Sequence, residues 1–395
     1  MNKGSQISVV GQGYVGLPLA IAAAESGFYV TGIDLDSDRV GLLNSGTSPV
    51  GDISGEALSS VIASGRYRAS SNFDSVSSSE IVIICVPTPL DEHGAPDLGA
   101  LLNATHSIAE KLSNGTLIIV ESTIAPGTTR EIIAPLLGES AQCELAYSPE
   151  RIDPSNTQWN IRNTPKLVAG LTPSATQRAA EFYSTFISQV DIGESVEVVE
   201  VAKLLENSFR LVNISFINEI AIFCEKLGVD VRSVIAAAST KPYGFMPFFP
   251  SAGVGGHCIP VDPSYLAAKA REIGAPSRFI ELANEVNHSL PDFFAGLALG
   301  KLGSLSGKRI LVVGIAYKPN VKDLRESPAL EIINNLRERG AQVLWHDDLV
   351  KSWGSEKSAP INTSVDLALL VNPHGDLNLG ELKATHVIDT RGGYV

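Results

Sequence analysis

Several features are scarce in this chain of 395 residues, and each shortage argues against a class of protein. Its four cysteines are far apart and form no CxxC pair, which argues against a zinc ribbon and a disulfide framework. No apolar run approaches the roughly 18 residues that a membrane-spanning helix needs. Lysine and arginine number 30 against 43 acidic residues, and the net charge of −13 argues against binding to nucleic acid or to anionic membranes.

The N-terminal residues lead directly into a strand and a glycine turn, without a separate apolar leader segment. We therefore expect a cytoplasmic protein. An acidic chain can still bind an anionic small molecule, because helix N-termini and a few basic groups are enough to hold phosphates. The length allows two or three domains, each with its own core.

A dinucleotide-binding fingerprint follows the first predicted strand. The segment VVGQGYVGLP fits GxGxxG at Gly11, Gly13 and Gly16, between a strand and a helix, and Asp34 closes the second strand. An acid at that position can bind the ribose hydroxyls of NAD and would repel the 2′-phosphate of NADP. Arg39, five residues after Asp34, keeps NADP possible as the cofactor. The structural alternative is a glycine turn that binds no ligand.

Three further loops follow predicted strands, at the edge where parallel sheets bind ligands. They are CVPTP (85–89), ESTIAPGTT (121–129) and YSPERIDP (147–154). We expect one cleft to receive their side chains, namely Thr88, Ser122, Thr123 and Glu150. Ordinary turn chemistry explains proline and serine in such loops equally well.

The pattern of strands and helices predicts an α/β fold. Short β-branched runs alternate with helical stretches up to about residue 150, a helix is predicted from Val196 to Leu227, and a second α/β pattern starts near residue 300. We expect two Rossmann-like doubly wound parallel-sheet domains joined by a helical central domain with one long helix. The expected boundaries are 1–195, 196–300 and 301–395.

The long helix carries polar residues on a mostly apolar surface. Lys203 and Asn207 are four residues apart and share a face, with Arg210 close to it. They could reach into a cleft to stabilise an oxyanion or hold a water. An ion pair of Lys203 with Glu200 or Glu206 on a solvated stripe is the structural alternative.

Cys258 lies in the unusual loop GVGGHCIPVDPSY. It could be a metal ligand with His257, an inert thiol, or a nucleophile. Adjacent side chains do not easily converge on one metal ion, and the flanking glycines and prolines are more than a filler needs. If Lys203 and Asp262 converge on the sulfur, a thiol nucleophile beside a nicotinamide site predicts oxidation of an aldehyde through a thioester.

Several motifs in this order resemble the UDP-glucose/GDP-mannose dehydrogenase family over essentially the whole chain. They are GQGYVGLP, CVPTP, ESTIAPGTT, YSPER, EVAKLLENSFR, GVGGHCIPVDP and GIAYKPNVKDLRESP. The resemblance implies oxidation of the C6 alcohol of a nucleotide sugar to a carboxylate, with two NAD and no metal. It also implies an N-terminal NAD domain, a central helical dimerisation domain and a C-terminal nucleotide-sugar domain.

The resemblance also implies roles for single residues. Cys258 matches the family's thiol nucleophile, and Lys203 with Asn207 matches the pair that supports the oxyanion. Asp262 matches the carboxylate that handles the proton, while Glu150 and Thr123 match the residues that serve thioester hydrolysis. The expected cofactor contacts are Gly11, Gly13, Tyr14, Val15, Gly16, Asp34, Arg39, Pro87, Thr88, Ser122, Thr123 and Arg325. The expected substrate contacts are Glu150, Arg151, Lys203, Asn207, Arg210, Tyr243, Phe245, Gly255 and Lys318.

Two departures from the UDP-glucose branch bear on the substrate. Val261 stands where that branch has a lysine before the aspartate, and TKPYGFMPFFPSAG lacks its usual arginine. Both segments resemble the UDP-N-acetylhexosamine 6-dehydrogenases. We therefore expect an NAD-dependent four-electron oxidation of a UDP-N-acetylhexosamine by a homodimer. UDP-glucose or GDP-mannose as substrate, a two-electron dehydrogenase, and a catalytically silent sensor are the alternatives.

Overall fold

The computed structural model describes residues 4–51, 53–138, 143–153, 156, 158–375 and 377–392. The chain divides into two compact units. The first contains Met1–Leu205 and Ser264–Ile273, and the second contains Glu206–Pro263 and Gly274–Val395. Each unit has a parallel β-sheet covered by helices, which confirms the α/β fold predicted from the sequence. Among the described residues, every helix is too short or too polar to span a membrane.

The first unit has an eight-stranded sheet with the order β3-β2-β1-β4-β5-β6-β7-β8. All neighbouring strands are parallel except β6 and β7. The first six strands have the order typical of dinucleotide-binding sheets, which reverses between β1 and β4. The strands are β1 (Gln6–Val10), β2 (Tyr29–Ile33), β3 (Tyr67–Ser70), β4 (Ile81–Ile84), β5 (Leu117–Val120), β6 (Glu144–Tyr147), β7 (Lys166–Gly170) and β8 (Val190–Ile192).

Helices cover both faces of this sheet. The central strands β4 and β5 are runs of Ile, Val and Leu that are buried along their whole length, as expected for a sheet covered on both sides. The helices are α1 (Gly16–Glu25), α2 (Ser37–Asn44), α3 (Gly55–Ala63), α4 (Gly99–Ala109), α5 (Ala134–Leu137) and α6 (Pro173–Tyr183), with a 3₁₀ turn at Asp74–Ser78 and a π-helical turn at Thr129–Ile133.

The long helix α7 (Val196–Leu227) has the predicted bounds. It ends before Gly228, whose φ of +74° favours glycine and stops the helix. The remaining helices are α8 (Val231–Ser239), α9 (Asp262–Glu272), α10 (Arg278–Leu302) and α11 (Pro328–Glu338).

The second unit has a four-stranded parallel sheet with the order β10-β9-β13-β14. Ile310 and Val312 on β9 pack with residues of α10 and α11, while Leu311 and Val313 lie in a smaller cluster on the other face. The strands are β9 (Arg309–Val313), β10 (Gln342–His346), β13 (Val365–Leu370) and β14 (Ala384–Asp389), with a hairpin of β11 (Ser352–Trp353) and β12 (Glu356–Lys357) and a 3₁₀ turn at Leu379–Glu381.

A buried carboxylate fixes the loops of the second sheet. Asp347 follows β10, and one of its oxygens accepts hydrogen bonds from the main-chain N–H groups of Ile315 (2.9 Å) and Ala316 (3.2 Å). The other oxygen lies 2.8 Å from Nε2 of His374. Nδ1 of that histidine accepts a hydrogen bond from the N–H of Asn320, so Nε2 carries the proton and donates a hydrogen bond to Asp347. Three loops are therefore tied to one side chain.

Replacing this carboxylate should destabilise the second unit. In Asp347→Asn, an amide NH₂ group replaces one carboxylate oxygen and cannot accept a hydrogen bond from the N–H groups that face it. We therefore expect a loss of about 2–4 kcal/mol in the free energy of unfolding at neutral pH. Urea unfolding followed by the fluorescence of Trp345, which is fully buried in this unit, measures the loss.

The difference should depend on pH. Burial acts to raise the pKa of Asp347, but the bonds from His374 and the main chain outweigh it and lower the pKa. A lowered pKa in the folded state gives stability that is present above the unfolded value of about 4 and is lost as the pH falls through the folded value. The gap between the variant and the wild type should therefore narrow below about pH 4. A gap that stays constant, or an equal loss in the exposed control Asp348→Asn, would contradict this account.

Candidate active site

The glycine turn after β1 is shaped by close contacts within the first unit. Gly11 has a φ of +91°, and a Cβ there would lie 2.6 Å from the main-chain oxygen of Cys85. A Cβ at Gly16 would lie 1.8 Å from the main-chain oxygen of Gly11. Both positions therefore require glycine, which brings the turn and the start of α1 close to β4. The arrangement suits a pyrophosphate at the N-terminus of α1.

Asp34 lies beside this turn. Its carboxylate accepts the N–H of Gln12 (2.9 Å) and binds Nη1 of Arg39 (3.1 Å). The ion pair places Arg39 on the carboxylate itself. Asp34 is thus fixed at the edge of the turn, where a ribose would bind. Arg39, the residue that kept NADP possible in the sequence analysis, forms an ion pair with this acid.

Gln12 was not predicted and fixes the same turn from inside. Its side chain is fully buried, donates to the main-chain oxygen of Val9 (2.8 Å) and accepts the hydroxyl of Tyr67 (2.9 Å). A polar residue inside a glycine fingerprint is the only signal in the sequence. Its partner on β3 is 55 residues away, so local patterns do not reveal the contact.

The strand β4 is parallel to β1 and β5 is parallel to β4, so the loops after β4 and β5 leave the sheet at the same edge as the glycine turn. Pro87 is exposed and Thr88 is buried, with its main-chain oxygen accepting the hydroxyl of Tyr265 (3.1 Å). The hydroxyl of Ser122 donates to the main-chain oxygen of Val86 (2.7 Å), which is the turn chemistry named as the alternative. Thr123 is half-buried.

Glu150 and Lys203 meet within the first unit. Nζ of Lys203 donates to the main-chain oxygen of Glu150 at 2.7 Å, and the lysine is buried. One carboxylate oxygen of Glu150 accepts the N–H groups of Arg151 (2.6 Å) and Ile152 (2.5 Å). The start of α7 therefore holds the loop that follows β6, and the carboxylate has a fixed orientation.

Glu200, one turn before Lys203, binds another loop. Its two oxygens accept the N–H of Gly127 (2.6 Å) and the N–H and hydroxyl of Thr129 (3.0 and 2.6 Å). Burial raises its pKa, and the three hydrogen bonds oppose that rise. Both oxygens of Glu200 thus stabilise the turn before α5, which the sequence pattern did not indicate.

In the second unit, Asn207 and Asp262 form a buried pair. Nδ2 of Asn207 donates to the Asp262 carboxylate at 2.5 Å. The N–H of Asp262 donates to the main-chain oxygen of Cys258 at 2.8 Å, so the cysteine lies one turn before the start of α9. Cys258 is exposed, whereas Cys85 and Cys224 are buried.

The glycines before Cys258 are in close contact with the segment after β9. A Cβ at Gly255 would lie 2.4 Å from the main-chain oxygen of Glu326, and one at Gly256 would lie 2.6 Å from the ring of Tyr317. The N–H of Gly256 donates to the main-chain oxygen of Arg325 at 2.9 Å. The glycines therefore allow a close approach of backbone, as their pattern indicated.

The histidine beside the cysteine is shifted toward its neutral form. Burial lowers the pKa of His257, and the positive charge of Arg325 lowers it further. Arg325 itself binds Asp323 through two nitrogens, at 2.9 and 2.6 Å. His257 is thus adjacent to an exposed thiol and uncharged at neutral pH. The described residues contain no group of three His, Cys, Asp or Glu side chains that could hold a metal ion.

The other residues expected at the site are more exposed. Arg210, Tyr243 and Phe245 are exposed in the second unit, and Lys318 is half-buried. Nζ of Lys241 lies 5.1 Å from the centre of the Tyr243 ring. Among the cofactor residues, Tyr14 is exposed, while Gly13 and Val15 are half-buried; the remaining predicted residues are those already described.

Three domain models of one protein family match the chain in order. They are described as the NAD binding domain, the central domain and the UDP binding domain of the UDP-glucose/GDP-mannose dehydrogenase family, and they match residues 5–187, 197–289 and 311–392. Together they cover most of the chain. The first of them identifies residues 5–187, which include the turn after β1, as an NAD-binding domain.

Curated relatives and solved structures agree with this match. The chain is 33% identical to a UDP-N-acetyl-D-glucosamine 6-dehydrogenase from Pseudomonas aeruginosa, over 90% of this chain and 85% of that one. It is 34% identical to a UDP-N-acetyl-D-mannosamine dehydrogenase from Pyrococcus horikoshii, over 88% and 84%. The structure of the UDP-D-ManNAc dehydrogenase from Pyrococcus horikoshii superposes with a TM-score of 0.89 over 99% of this chain and 96% of that one, at 32% identity.

Asp34 should set the preference between NAD and NADP. We expect Asp34→Ala to lower the ratio of kcat/KM for NAD to that for NADP by on the order of tenfold or more, since hydrogen bonds to a charged group contribute about 1.5–3 kcal/mol. Steady-state rates with both cofactors measure this ratio. The exposed Asp38 on α2 provides the control, as Asp38→Asn, which should leave the ratio unchanged. An unchanged ratio in Asp34→Ala would remove this carboxylate from the cofactor site.

Proposed function

Because the chain belongs to the UDP-glucose/GDP-mannose dehydrogenase family, whose members are NAD-dependent oxidoreductases, we propose that it oxidises a UDP-N-acetylhexosamine to the uronic acid. The observation that carries this proposal is the set of relatives named for UDP-N-acetylhexosamines, which are about a third identical over most of the chain. A product of this kind would serve as a precursor of surface polysaccharides.

The first step would remove the C6 hydroxyl proton and a hydride. When bound, NAD would supply the hydride acceptor for each of the two oxidations. We assign the proton to Asp262, acting with a water. The buried hydrogen bond from Asn207 supports this assignment, because it fixes the orientation of the carboxylate.

The second step would use the cysteine. Cys258 adds to the aldehyde carbon, and the resulting thiohemiacetal loses a second hydride to give a thioester. We assign the developing negative charge on oxygen to Lys203 and Asn207. An ammonium and an amide that are buried and already hydrogen-bonded reorganise little when charge develops, which is the property that electrostatic stabilisation requires. The exposure of Cys258 supports its role, since a nucleophile must be reachable.

The third step would hydrolyse the thioester. Water adds to the thioester carbon, the C–S bond breaks, the thiol is restored and the carboxylate product leaves. We assign the positioning and deprotonation of this water to Glu150 with Thr123. The fixed orientation of the Glu150 carboxylate supports this role. The overall reaction consumes one water and two NAD and releases three protons.

The residue before Asp262 bears on the substrate. Val261 is buried in the second unit, so an uncharged side chain is accommodated where the UDP-glucose branch has a lysine. A less charged wall favours an N-acetylated sugar over glucose. We retain the three domains 1–195, 196–300 and 301–395 as a proposal, with the nucleotide sugar bound by the third. Both substrates are water-soluble nucleotides, so we also propose the cytoplasm as the location.

The test is the amount of NADH formed per sugar across a panel of nucleotide sugars. We expect two NADH per molecule of UDP-GlcNAc, UDP-GalNAc or UDP-ManNAc, and much slower turnover of UDP-glucose and GDP-mannose. Cys258→Ser should abolish acid formation, because an alkoxide from serine is far harder to form than a thiolate. The control Cys143→Ser changes a half-buried thiol in the first unit and should leave the stoichiometry at two.

Each alternative gives a different result in this assay. One NADH per sugar would identify a two-electron dehydrogenase. Binding of NAD and UDP-sugar without NADH would identify a sensor. Fast turnover of UDP-glucose or GDP-mannose alone would overturn the choice of substrate, and acid formation by Cys258→Ser would overturn the thioester route.

The helix α7 supports the proposal of a homodimer. Large apolar side chains recur along it at spacings of seven and four residues, and all of them are exposed: Val198, Leu205, Phe209, Phe216, Phe223 and Leu227. At 3.6 residues per turn they fall within an arc of roughly 40°. A continuous exposed stripe of this kind marks an interaction surface, and a second copy of the same helix would bury it.

Charge on this stripe should prevent dimerisation. We expect the double variant Phe216→Glu, Phe223→Glu to elute as a monomer in size-exclusion chromatography with light scattering, because pairing would bury unpaired carboxylates. The exposed Leu349 lies outside α7, so Leu349→Glu is a matched control that should keep the wild-type mass. A wild type that is monomeric, or a double variant that remains dimeric, would contradict this interface.

A further inference from the structure

A lysine that no motif predicted lies between two carboxylates in the first unit. Lys166 is the first residue of β7, and Glu121 directly follows β5. Nζ of Lys166 lies 2.9 Å from a carboxylate oxygen of Glu121 and 3.6 Å from one of Glu150. The lysine and Glu121 are buried, and the side chain of Glu150 is 16% exposed. One buried cation is therefore shared by a structural acid and by the acid assigned to hydrolysis.

Glu121 holds the lysine in place. One of its oxygens binds Lys166, and the other accepts the hydroxyl of Tyr183. Nζ of Lys166 also lies 5.1 Å from the centre of the Tyr183 ring. With both oxygens of Glu121 bound and the ring on one side, the ammonium has a fixed position.

The lysine stays charged in this setting. Burial acts to lower the pKa of Lys166, but the charges of Glu121 and then Glu150 outweigh it and raise the pKa. Burial also raises the pKa of Glu121, and the charge of Lys166 opposes that rise. The pKa of the nearby Cys85 thiol is also raised. Its burial is the main cause, and the negative charge of Glu121 adds to it.

The carboxylate of Glu150 is held from two sides. One oxygen accepts the N–H groups of Arg151 and Ile152, and the other faces Lys166. Nη1 of Arg151 donates to the main-chain oxygen of Pro165 at 3.1 Å, which ties the Glu150 loop to the residue before the lysine. Rotation of the carboxylate would break contacts at both oxygens.

A small cavity adjoins this contact. It has a volume of about 10 Å³ and is lined by Glu150, Thr164 and Lys166 among others, which is room for one water. Oγ1 of Thr164 is buried and has no hydrogen-bond partner among the described residues. A water there would join the threonine hydroxyl to the carboxylate and the ammonium.

A structural ion pair alone would not include Glu150. The pairing of Lys166 with Glu121 needs no second carboxylate, and placing another one in a region largely removed from water is costly unless it has a use. Glu121 already satisfies Lys166. The third member of the cluster thus adds an energetic cost that a purely structural pair would avoid.

We propose that Lys166 is a positioning residue that fixes the Glu150 carboxylate for thioester hydrolysis. The proposal rests on the proposed function, since it concerns that reaction's last step. In this step the water oxygen bonds to the acyl carbon, its proton passes to Glu150, the C–S bond breaks and the sulfur regains a proton. Lys166 contacts neither reactant and acts only through Glu150. Both hydride transfers precede this step, so they do not depend on it.

Loss of the lysine should separate the oxidations from the hydrolysis. We expect Lys166→Met to form two NADH per active site in a rapid first phase and then to turn over more slowly than the wild type, by on the order of 100-fold, because a small misplacement of a reacting group has an effect of that size. Rapid mixing measures both phases. Mass spectrometry of the acid-quenched variant should detect the acyl adduct on Cys258.

A conservative variant separates positioning from folding. Lys166→Arg keeps the charge between the two acids and should restore a large part of the steady-state rate. The double variant Lys166→Met, Glu121→Gln removes both members of the inner pair, so it tests the step without leaving the charge of Glu121 buried and unpaired. It should accumulate the acyl adduct as Lys166→Met does. Arg178, which binds Glu144 at 2.6 Å in the same unit, gives the control Arg178→Met with wild-type kinetics.

The outcomes are distinct from those that test the proposed function. A wild type that forms one NADH per sugar overturns both. A wild type that forms two, with Lys166→Met and the double variant both hydrolysing at the wild-type rate, overturns the role of Lys166 alone. The role of Lys166 is also overturned if Lys166→Met turns over slowly but shows neither a rapid phase of NADH formation nor an acyl adduct. The oxidations would then be the steps that the substitution affects. The role of Lys166 is supported if Lys166→Met accumulates the acyl adduct on Cys258 and Lys166→Arg does not.

Discussion

Three buried polar side chains of α7 determine where the loops of the candidate site lie. Glu200 binds the turn at Gly127 and Thr129, Lys203 binds the main chain at Glu150, and Asn207 binds Asp262. The first two hold loops of the first unit and the third holds a loop of the second. Polar groups removed from water are costly unless paired, so the helix can be buried here only while these loops keep their positions. The fold and the proposed chemistry therefore depend on the same hydrogen bonds.

In each of the two sheets an aspartate follows the second strand, but the two aspartates differ in their exposure and partners. Asp34 follows the second strand of its sheet and lies at the edge of the glycine turn, where a ribose can reach it. Asp347 follows β10, the second strand of the other sheet in chain order, and is buried, binding the N–H groups of Ile315 and Ala316. The loop after β9 is thus filled by the protein's own carboxylate.

Local patterns were enough to predict much of this architecture. Apolar periodicity without proline defined α7 to the residue, and β-branched runs gave β1, β4 and β5. The strand β13 was missed although VDLALL is apolar. The contacts of Lys166 were also missed, since its partner Glu121 is 45 residues away and Lys166 itself lies in no motif. Pairing between distant strands is set by topology, which one sequence does not display.

The close contact of Gly255 and Gly256 with Tyr317 and Glu326 has a consequence for protein engineering. A side chain added at either glycine would meet the main chain of Glu326 or the ring of Tyr317, so these two positions of the loop before Cys258 offer no room for variation. Tyr243, Phe245 and Met246, by contrast, are exposed. Libraries intended to broaden the range of accepted sugars would therefore be built on 243–249, and the segment 253–258 would be left as a fixed part of the scaffold.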